Sequence, residues 1–250
     1  MIRFVSLQKP IVSCIFFAPP VLCIRTGSEY TKGGFIMKHN RSFYAAVSLL
    51  AAFILWTAAV GHVDVQPIGP LGSSVGFATL NRFFHNRTGL RMTLYTITDW
   101  LSLVPIGFAV GFAGLGLFQW IRRKQLRHVD RSLLILGCFY VVVMGIYILF
   151  EQLAVNYRPV LLNGALEVSY PSSTTLLVLC LMPTAVLQLR VRMRNGLFRQ
   201  VLVVSMTAFT AFMLFGRLLS GVHWLTDIIG GVLLSVGLIM LYCFFVKIES

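Results

Sequence analysis

The segment Gly216-Arg217-Leu218-Leu219-Ser220-Gly221-Val222-His223-Trp224-Leu225-Thr226-Asp227 lies between two long apolar runs. Charged side chains are costly at the boundary of a bilayer, so an Arg, a His and an Asp so close together there indicate a functional site. Asp227 follows His223 by four residues, and the two side chains share a face if this segment opens a helix. The carboxylate would then hold one imidazole nitrogen and leave the other free as a nucleophile or base. Arg217 adds a planar, permanently charged group that suits phosphate oxygens.

The apolar runs on either side of this segment belong to a larger set. The chain is 57% hydrophobic and 12% charged, with a mean hydropathy of +0.83, whereas a soluble domain carries roughly 25% charged residues. Six stretches approach the ~20 residues that cross a bilayer: Ser42–Gly61, Ile97–Trp120, Leu133–Phe150, Thr174–Leu189, Gln200–Phe215 and Ile228–Val246. We therefore predict an all-α polytopic membrane protein with six transmembrane helices, formed by a single domain over residues 37–250.

The basic residues are distributed unevenly between the two ends of these spans. Most precede the first span or follow the second, fourth and sixth: Lys38, Arg41, Arg122, Arg123, Lys124, Arg127, Arg131, Arg190, Arg192, Arg194, Arg199 and Lys247. Fewer lie at the other end: Arg82, Arg87, Arg91, Arg158 and Arg217. The positive-inside rule predicts cytoplasmic termini, with the segments after spans one, three and five outside. The net charge of +13 thus indicates membrane topology and contacts with anionic membrane lipids, not nucleic acid binding.

Residues 1–36 do not fit the membrane domain. Their apolar patch, Ile11–Ile24, is short and is broken by Pro19-Pro20. Gly33-Gly34 can be encoded by a sequence that contains a bacterial ribosome-binding site, and Met37 follows shortly afterwards. We expect residues 1–36 to be a translated leader or a flexible extension, with Met37 as the true start.

Three segments meet at the predicted outer face, after spans one, three and five. Two of them, together with the start of the fourth span, contain polar residues suited to an anion: Arg158, Ser172, Ser173, Thr174 and Arg217. The start of a helix favours an anion because its first N–H groups are free and its dipole is positive there. Two guanidinium groups and a helix start predict a phosphate site, in which His223 is the evident nucleophile.

A further outer segment, the loop between the first two spans, contains Val75–Phe84, whose pattern predicts an amphipathic helix in the membrane interface. His62 and His85 lie in the same loop. Either histidine could approach the predicted site.

The spacing of the polar residues resembles that of the type 2 phosphatidic acid phosphatase family. That family has three motifs, Lys-x6-Arg-Pro, Pro-Ser-Gly-His and Ser-Arg-x5-His-x3-Asp. Arg158-Pro159 matches the end of the first motif, and Pro171-Ser172 matches the start of the second. The segment Gly216–Asp227 matches the third with the correct spacing, and the resemblance extends over Ser42–Val246.

The resemblance implies a hydrolase that needs no metal or other cofactor. In this family the third-motif His attacks phosphorus and forms a phosphohistidine, the Asp supports it, and the second-motif His protonates the leaving oxygen. Carried over to this chain, His223 and Asp227 are catalytic, and the phosphate-binding residues are Arg158, Ser172, Ser173 and Arg217. The implied substrate is a lipid phosphate or pyrophosphate. An outward-facing site in a bacterial cytoplasmic membrane suits undecaprenyl pyrophosphate, which is released on that face during cell-wall synthesis.

The chain departs from the family pattern at four positions. Glu151 replaces the Lys of the first motif, Ser173 replaces a Gly, and Gly216 replaces a Ser. Thr174 is the serious change, because it stands where the general-acid His belongs and such acids contribute about 10²–10⁴-fold. Three interpretations remain open. The chain is a phosphatase that is weak or selective for pyrophosphates, a non-catalytic protein that binds or transports lipid phosphates, or an enzyme with an introduced substitution that traps ligand.

Overall fold

Eight α-helices follow one another along residues 32–194 and 196–248, the part of the chain described by this computed structural model. They are α1 (Lys32–His62), α2 (Ala78–Thr88), α3 (Met92–Leu101), α4 (Leu103–Arg123), α5 (Arg131–Leu153), α6 (Ser173–Arg192), α7 (Leu197–Ser220) and α8 (Leu225–Ile248). Residues 1–31 lie outside the described part, so the leader and the start at Met37 stay predictions. The helix α1 already includes residues 32–36.

The all-α membrane fold is confirmed. Among the described residues, six helical stretches are long and apolar enough to cross a membrane, and each contains one of the predicted spans: Ser42–His62, Met92–Arg123, Arg131–Leu153, Ser173–Arg192, Leu197–Ser220 and Leu225–Val246. The second stretch is broken at Ser102 into α3 and α4, which the sequence analysis did not predict. Pro105 lies in the first turn of α4, where a missing N–H is tolerated, so a helix that begins at Leu103 accommodates it.

Glycines in α8 allow the start of α6 to pack closely against it. A Cβ atom added to Gly230 would lie 2.7 Å from the ring of Tyr170, and one added to Gly231 would lie 3.1 Å from Thr175. Real Cβ atoms do not approach other atoms so closely without displacing them. The segment before α6 therefore lies next to the beginning of α8, which carries Asp227.

Polar side chains join the helices at the opposite end of the bundle. Asp130, just before α5, accepts a hydrogen bond from Gln119 of α4 at 2.9 Å and pairs with Arg192 of α6 at 3.4 Å. Gln188 is buried and donates to the hydroxyl of Tyr242 at 2.7 Å. This end contains most of the basic residues of the spans, and the motif residues lie at the other end. Which end faces the cytoplasm stays a prediction.

Candidate active site

His223 lies in the short link between α7 and α8. The link begins at Gly221, which has a φ of +71° and follows the last residue of α7. A Cβ atom at Gly221 would lie 2.1 Å from the carbonyl oxygen of Gly89, so both the backbone angle and the space require glycine. The consequence is a tight turn that holds the His223 side chain in the interior, only 4% exposed.

Asp227 is the third residue of α8 and is fully buried. Its carboxylate accepts a hydrogen bond from the backbone N–H of Trp224 at 2.9 Å, which is the arrangement of one half of a capping box. The side-chain amide of Asn156 donates to its other oxygen at 3.3 Å. Asp227 thus completes the start of the helix as well as lying near the histidine.

The expected direct contact between Asp227 and His223 does not form. His223 precedes α8 and so does not share a helical face with Asp227, and its Nδ1 lies 3.9 Å from the nearer carboxylate oxygen. The hydroxyl of Ser169 lies between them, 3.0 Å from Nδ1 and 2.5 Å from Oδ2 of Asp227. The carboxylate is therefore linked to the imidazole through a serine.

A short hairpin between α5 and α6 places Ser169 and Asn156 beside Asp227. Its turn is Asn163-Gly164, both with positive φ, which is the geometry that favours this dipeptide in two-residue hairpins. Tyr157 and Val168 form a bridge, and the N–H of Ser169 donates to the carbonyl of Asn156 at 2.8 Å. The register therefore brings both polar side chains to the same end of the hairpin.

Arg158 lies on the same hairpin and faces the imidazole. Its Nη1 is 3.2 Å from Nε2 of His223, and its Nε is 3.1 Å from a carboxylate oxygen of Glu167. The side chain is largely buried, whereas Glu167 is partly exposed. One guanidinium group thus contacts both the imidazole and an acid at the surface.

Arg217 occupies the last turn of α7 and is 2% exposed. Its Nη2 donates to the carboxylate of Asp99 at 2.9 Å and also contacts the hydroxyl of Thr174. Its guanidinium lies over the ring of Tyr95, 4.9 Å from the ring centroid. Within the described residues its Nε and Nη1 are buried and have no hydrogen-bond partner. Buried donors of this kind point to an anionic ligand.

The start of α6 offers an anion its backbone N–H groups more than its serine hydroxyls. Ser172 is the N-cap residue, but its hydroxyl makes no capping bond and accepts instead from Thr175 at 3.0 Å. Ser173 is half-buried and lines a small recess with Glu151. Thr174 is buried beside Arg217. The first N–H groups of α6 remain the donors that a helix start offers to an anion.

The two histidines of the first loop differ in their surroundings. His62 is exposed at the end of α1, whereas the ring of His85 lies 5.6 Å from the ring of Trp224. Burial lowers the pKa of His85 from its ordinary value. The helix α2, which the sequence predicted a few residues too early, is held by buried Asn81, whose amide donates to the hydroxyl of Thr226 at 3.0 Å.

The protonation of His223 follows from its surroundings. Its pKa is lowered well below the ordinary value, first by burial and then by the positive charges of Arg158 and Arg217. The imidazole is therefore neutral near pH 7. Nε2 faces Arg158, and an arginine can only donate hydrogen bonds. Nε2 must therefore carry the lone pair, which makes it a suitable nucleophile next to two guanidinium groups.

Several residues that contact the predicted ones were not predicted from the sequence. Ser169 and Asn156 contact the histidine–aspartate pair, and Asp99 and Glu167 pair with the two arginines. The Asn163-Gly164 pair was a signal for the hairpin that positions three of them. Among the described residues, no group of three or more His, Cys, Asp or Glu side chains is arranged to hold a metal ion.

Part of the chain matches the model of a known family. The family model of the PAP2 superfamily matches residues 140–249, which include the hairpin, α6, α7 and most of α8. No match was found among the curated proteins. A similar solved structure is described as that of the first transmembrane PAP2 type phosphatidylglycerolphosphate phosphatase from Bacillus subtilis. It has a TM-score of 0.51 and 18% sequence identity, and it covers 83% of this chain and 98% of that chain.

Proposed function

We propose that the chain is a membrane lipid phosphatase of the PAP2 superfamily, whose family model matches residues 140–249, and that its nucleophile is His223. One observation carries the proposal. The lone pair of Nε2 faces Arg158, and the buried Arg217 nearby has two donor nitrogens without a protein partner. A phosphate group at this position would satisfy the arginine donors and present its phosphorus to the imidazole.

The reaction proceeds in two displacements. The bound phosphate accepts the Nη1–H of Arg158 in place of Nε2 of His223, so the lone pair of Nε2 is free to attack phosphorus. The bond from phosphorus to the leaving oxygen then breaks with its electron pair on that oxygen. Water then attacks the phosphohistidine, the bond between phosphorus and nitrogen breaks, and the water proton passes to solvent. The two guanidinium groups stabilise the negative charge on the equatorial oxygens in both steps. Nδ1 stays protonated throughout, so the phosphorylated ring is positively charged and the phosphoryl oxygens carry the negative charge.

Thr174 favours a lipid pyrophosphate over a lipid monophosphate as substrate. A monophosphate releases an alkoxide, which needs a proton, and a threonine hydroxyl is a poor acid near pH 7. A pyrophosphate releases a lipid phosphate monoester, which is stable as an anion. Thr174 contacts Arg217, so its hydroxyl contributes to the phosphate site even without acting as an acid. Undecaprenyl pyrophosphate has this chemistry and is the substrate that we propose.

The distribution of basic residues supports an outward-facing site in a bacterial cytoplasmic membrane. The arginines at the ends of α4 and α6 lie opposite the end that carries His223. The positive-inside rule assigns the more basic end to the cytoplasm. A substrate headgroup would then be hydrolysed on the outer side.

A second function, lipid-phosphate binding without turnover, is favoured by Thr174 as well. The same residue that removes the general acid leaves the two arginines and the helix start in place. A phosphate could then be held without being released rapidly. This alternative predicts binding with no phosphate release from either substrate.

Phosphate release by the purified full-length protein in mixed micelles distinguishes the two functions. Polyprenyl pyrophosphate and phosphatidic acid are the substrates, and lipid binding is measured in parallel. We expect release from the pyrophosphate to be abolished by His223→Ala and unchanged by His128→Ala, a histidine substitution at the opposite end of the bundle. Turnover that survives His223→Ala would overturn the proposed role of His223. Binding of both lipids without release by the unmodified protein would establish the non-catalytic function.

A further inference from the structure

Ser169 is not part of any of the three motifs, yet it contacts two of the motif residues. It lies on the hairpin strand before α6, is 3% exposed, and contacts His223 and Asp227 with the same oxygen. From this geometry we propose that Ser169 is a positioning residue that transmits the orienting effect of Asp227 to the nucleophile. This role rests on the proposed use of His223 as the nucleophile.

The hydrogen-bond directions follow from Arg158. An arginine has donors only, so Nε2 of His223 accepts from Nη1 at 3.2 Å. A neutral imidazole carries one proton, which must then be on Nδ1. Nδ1–H therefore donates to the hydroxyl oxygen of Ser169 at 3.0 Å.

The hydroxyl has one proton of its own, and its direction is then fixed. Because the oxygen of Ser169 accepts from Nδ1–H, its proton donates to Oδ2 of Asp227 at 2.5 Å. The same carboxylate also accepts from the N–H of Trp224 and the amide of Asn156. These two obligatory donors favour the carboxylate as an acceptor. The resulting chain runs from the imidazole through the serine to the aspartate in one direction.

A direct hydrogen bond between Asp227 and His223 cannot replace the link through Ser169 unless one of the two side chains moves. The distance of 3.9 Å between Nδ1 and Oδ2 is too long for a hydrogen bond. Asp227 is held in place by the start of α8, and His223 by the turn at Gly221. The serine hydroxyl is therefore the group that couples two rigidly placed side chains.

The backbone also holds Ser169 firmly. Its N–H donates to the carbonyl of Asn156 at 2.8 Å across the hairpin. Asn156 in turn contacts Asp227. A side chain fixed in this way orients the imidazole at little entropic cost.

Ring-nitrogen NMR tests this inference without depending on turnover. The full-length protein is labelled with ¹⁵N-histidine, and the signals of His223 are assigned by their loss in His223→Gln. We expect one neutral tautomer with the proton on Nδ1, and in Ser169→Ala the same tautomer with a shifted Nδ1 signal, because Arg158 still donates to Nε2 while Nδ1–H loses the serine oxygen. A proton on Nε2 in the unmodified protein, or an unchanged Nδ1 signal in Ser169→Ala, would overturn the role of Ser169.

Kinetics with the polyprenyl pyrophosphate substrate supply the second arm. We expect Ser169→Ala to reduce kcat by about ten- to a hundredfold, since it leaves buried groups without partners, while Ser169→Thr restores much of the rate. Ser235→Ala is the matched control, because it removes a buried serine hydroxyl that donates to the carbonyls of Leu176 and Gly231.

A double substitution separates positioning from a general structural effect. If Ser169 acts through Asp227, Ser169→Ala should slow the Asp227→Asn protein little further, whereas independent effects would multiply and overturn the proposal. A shifted Nδ1 signal in Ser169→Ala together with no turnover by the unmodified protein would support the positioning by Ser169 and overturn the proposed function. Where Ser169→Ala does not fold, a proton on Nε2 in the unmodified protein would still overturn the proposal.

Discussion

Asp99 and Arg217 form an ion pair at 2.9 Å in which the arginine is buried and the aspartate is about half exposed. The pair depends on the close packing of α3 against α7. A Cβ atom at Gly216 would lie 2.7 Å from the Cγ2 atom of buried Thr98, next to Asp99. The glycine that departs from the family motif thus permits the approach that brings an acid to the phosphate-binding arginine. In the absence of substrate, Asp99 partly neutralises Arg217.

Removal of this acid should strengthen anion binding. Asp99→Asn keeps the shape of the side chain but leaves the charge of Arg217 uncompensated, so inorganic phosphate should inhibit the protein at a lower concentration. Because Asp99 is about half exposed, we expect a modest effect of about two- to fivefold. Phosphate inhibition of polyprenyl pyrophosphate hydrolysis measures it, with Asp130→Asn at the opposite end as control. Weaker inhibition by phosphate would show that Asp99 itself helps to form the site.

The position of Thr174 predicts a change that depends on the leaving group. Thr174→His supplies an acid beside Arg217, so hydrolysis of phosphatidic acid should rise by at least about tenfold. Hydrolysis of polyprenyl pyrophosphate should rise less, because its leaving group does not need a proton. The ratio of the two rates measures the effect and is insensitive to the fraction of active protein. An equal gain on both substrates would contradict the leaving-group argument.

The lowered pKa of His223 predicts how the stability of the fold depends on pH. In the unfolded chain a histidine has a pKa of about 6.5, whereas in the fold burial and two arginines lower the pKa of His223 well below that value. Below pH ~6.5 the unfolded chain therefore binds a proton that the folded chain does not. Stability should be constant above that pH and should fall as the pH decreases from it towards the folded-state pKa.

Thermal unfolding between about pH 5 and 8, the range in which histidines titrate, checks this dependence. The midpoint should fall less steeply on acidification in His223→Gln than in the unmodified protein. His85 also has a lowered pKa and contributes the same trend in both proteins, so the comparison isolates His223. Identical pH slopes would mean that the imidazole is not held neutral by its surroundings.

The membrane fold was predictable because the signals are local. Runs such as Leu133–Phe150 are more apolar than a helix of the same length in a soluble protein. Each of the six predicted runs lies within a helix that is long and apolar enough to cross a membrane. Arg217, His223 and Asp227 were recognisable from spacing alone, since they lie on one continuous segment. Arg158 required the topology to bring a second loop to the same end.

The contacts between these residues were less predictable. Ser169 reaches Asp227 only because the hairpin has a particular register, which a one-residue shift would change. Asp99 reaches Arg217 through a helix break at Ser102 and through the space left by Gly216. Both contacts depend on packing between segments that are distant in the sequence, so no local residue pattern predicts them. The direct contact expected between Asp227 and His223 is replaced by a link through Ser169, which also depends on the packing of the hairpin.

The stereochemical course at phosphorus is the measurement that tests the proposed mechanism most directly. A polyprenyl pyrophosphate whose terminal phosphorus is chiral by sulfur and oxygen-isotope substitution is hydrolysed in isotopically labelled water by the full-length protein. Attack by His223 followed by attack by water makes two in-line displacements, so we predict retention of configuration. Inversion would show a single displacement by water and would contradict the role of His223 as the nucleophile.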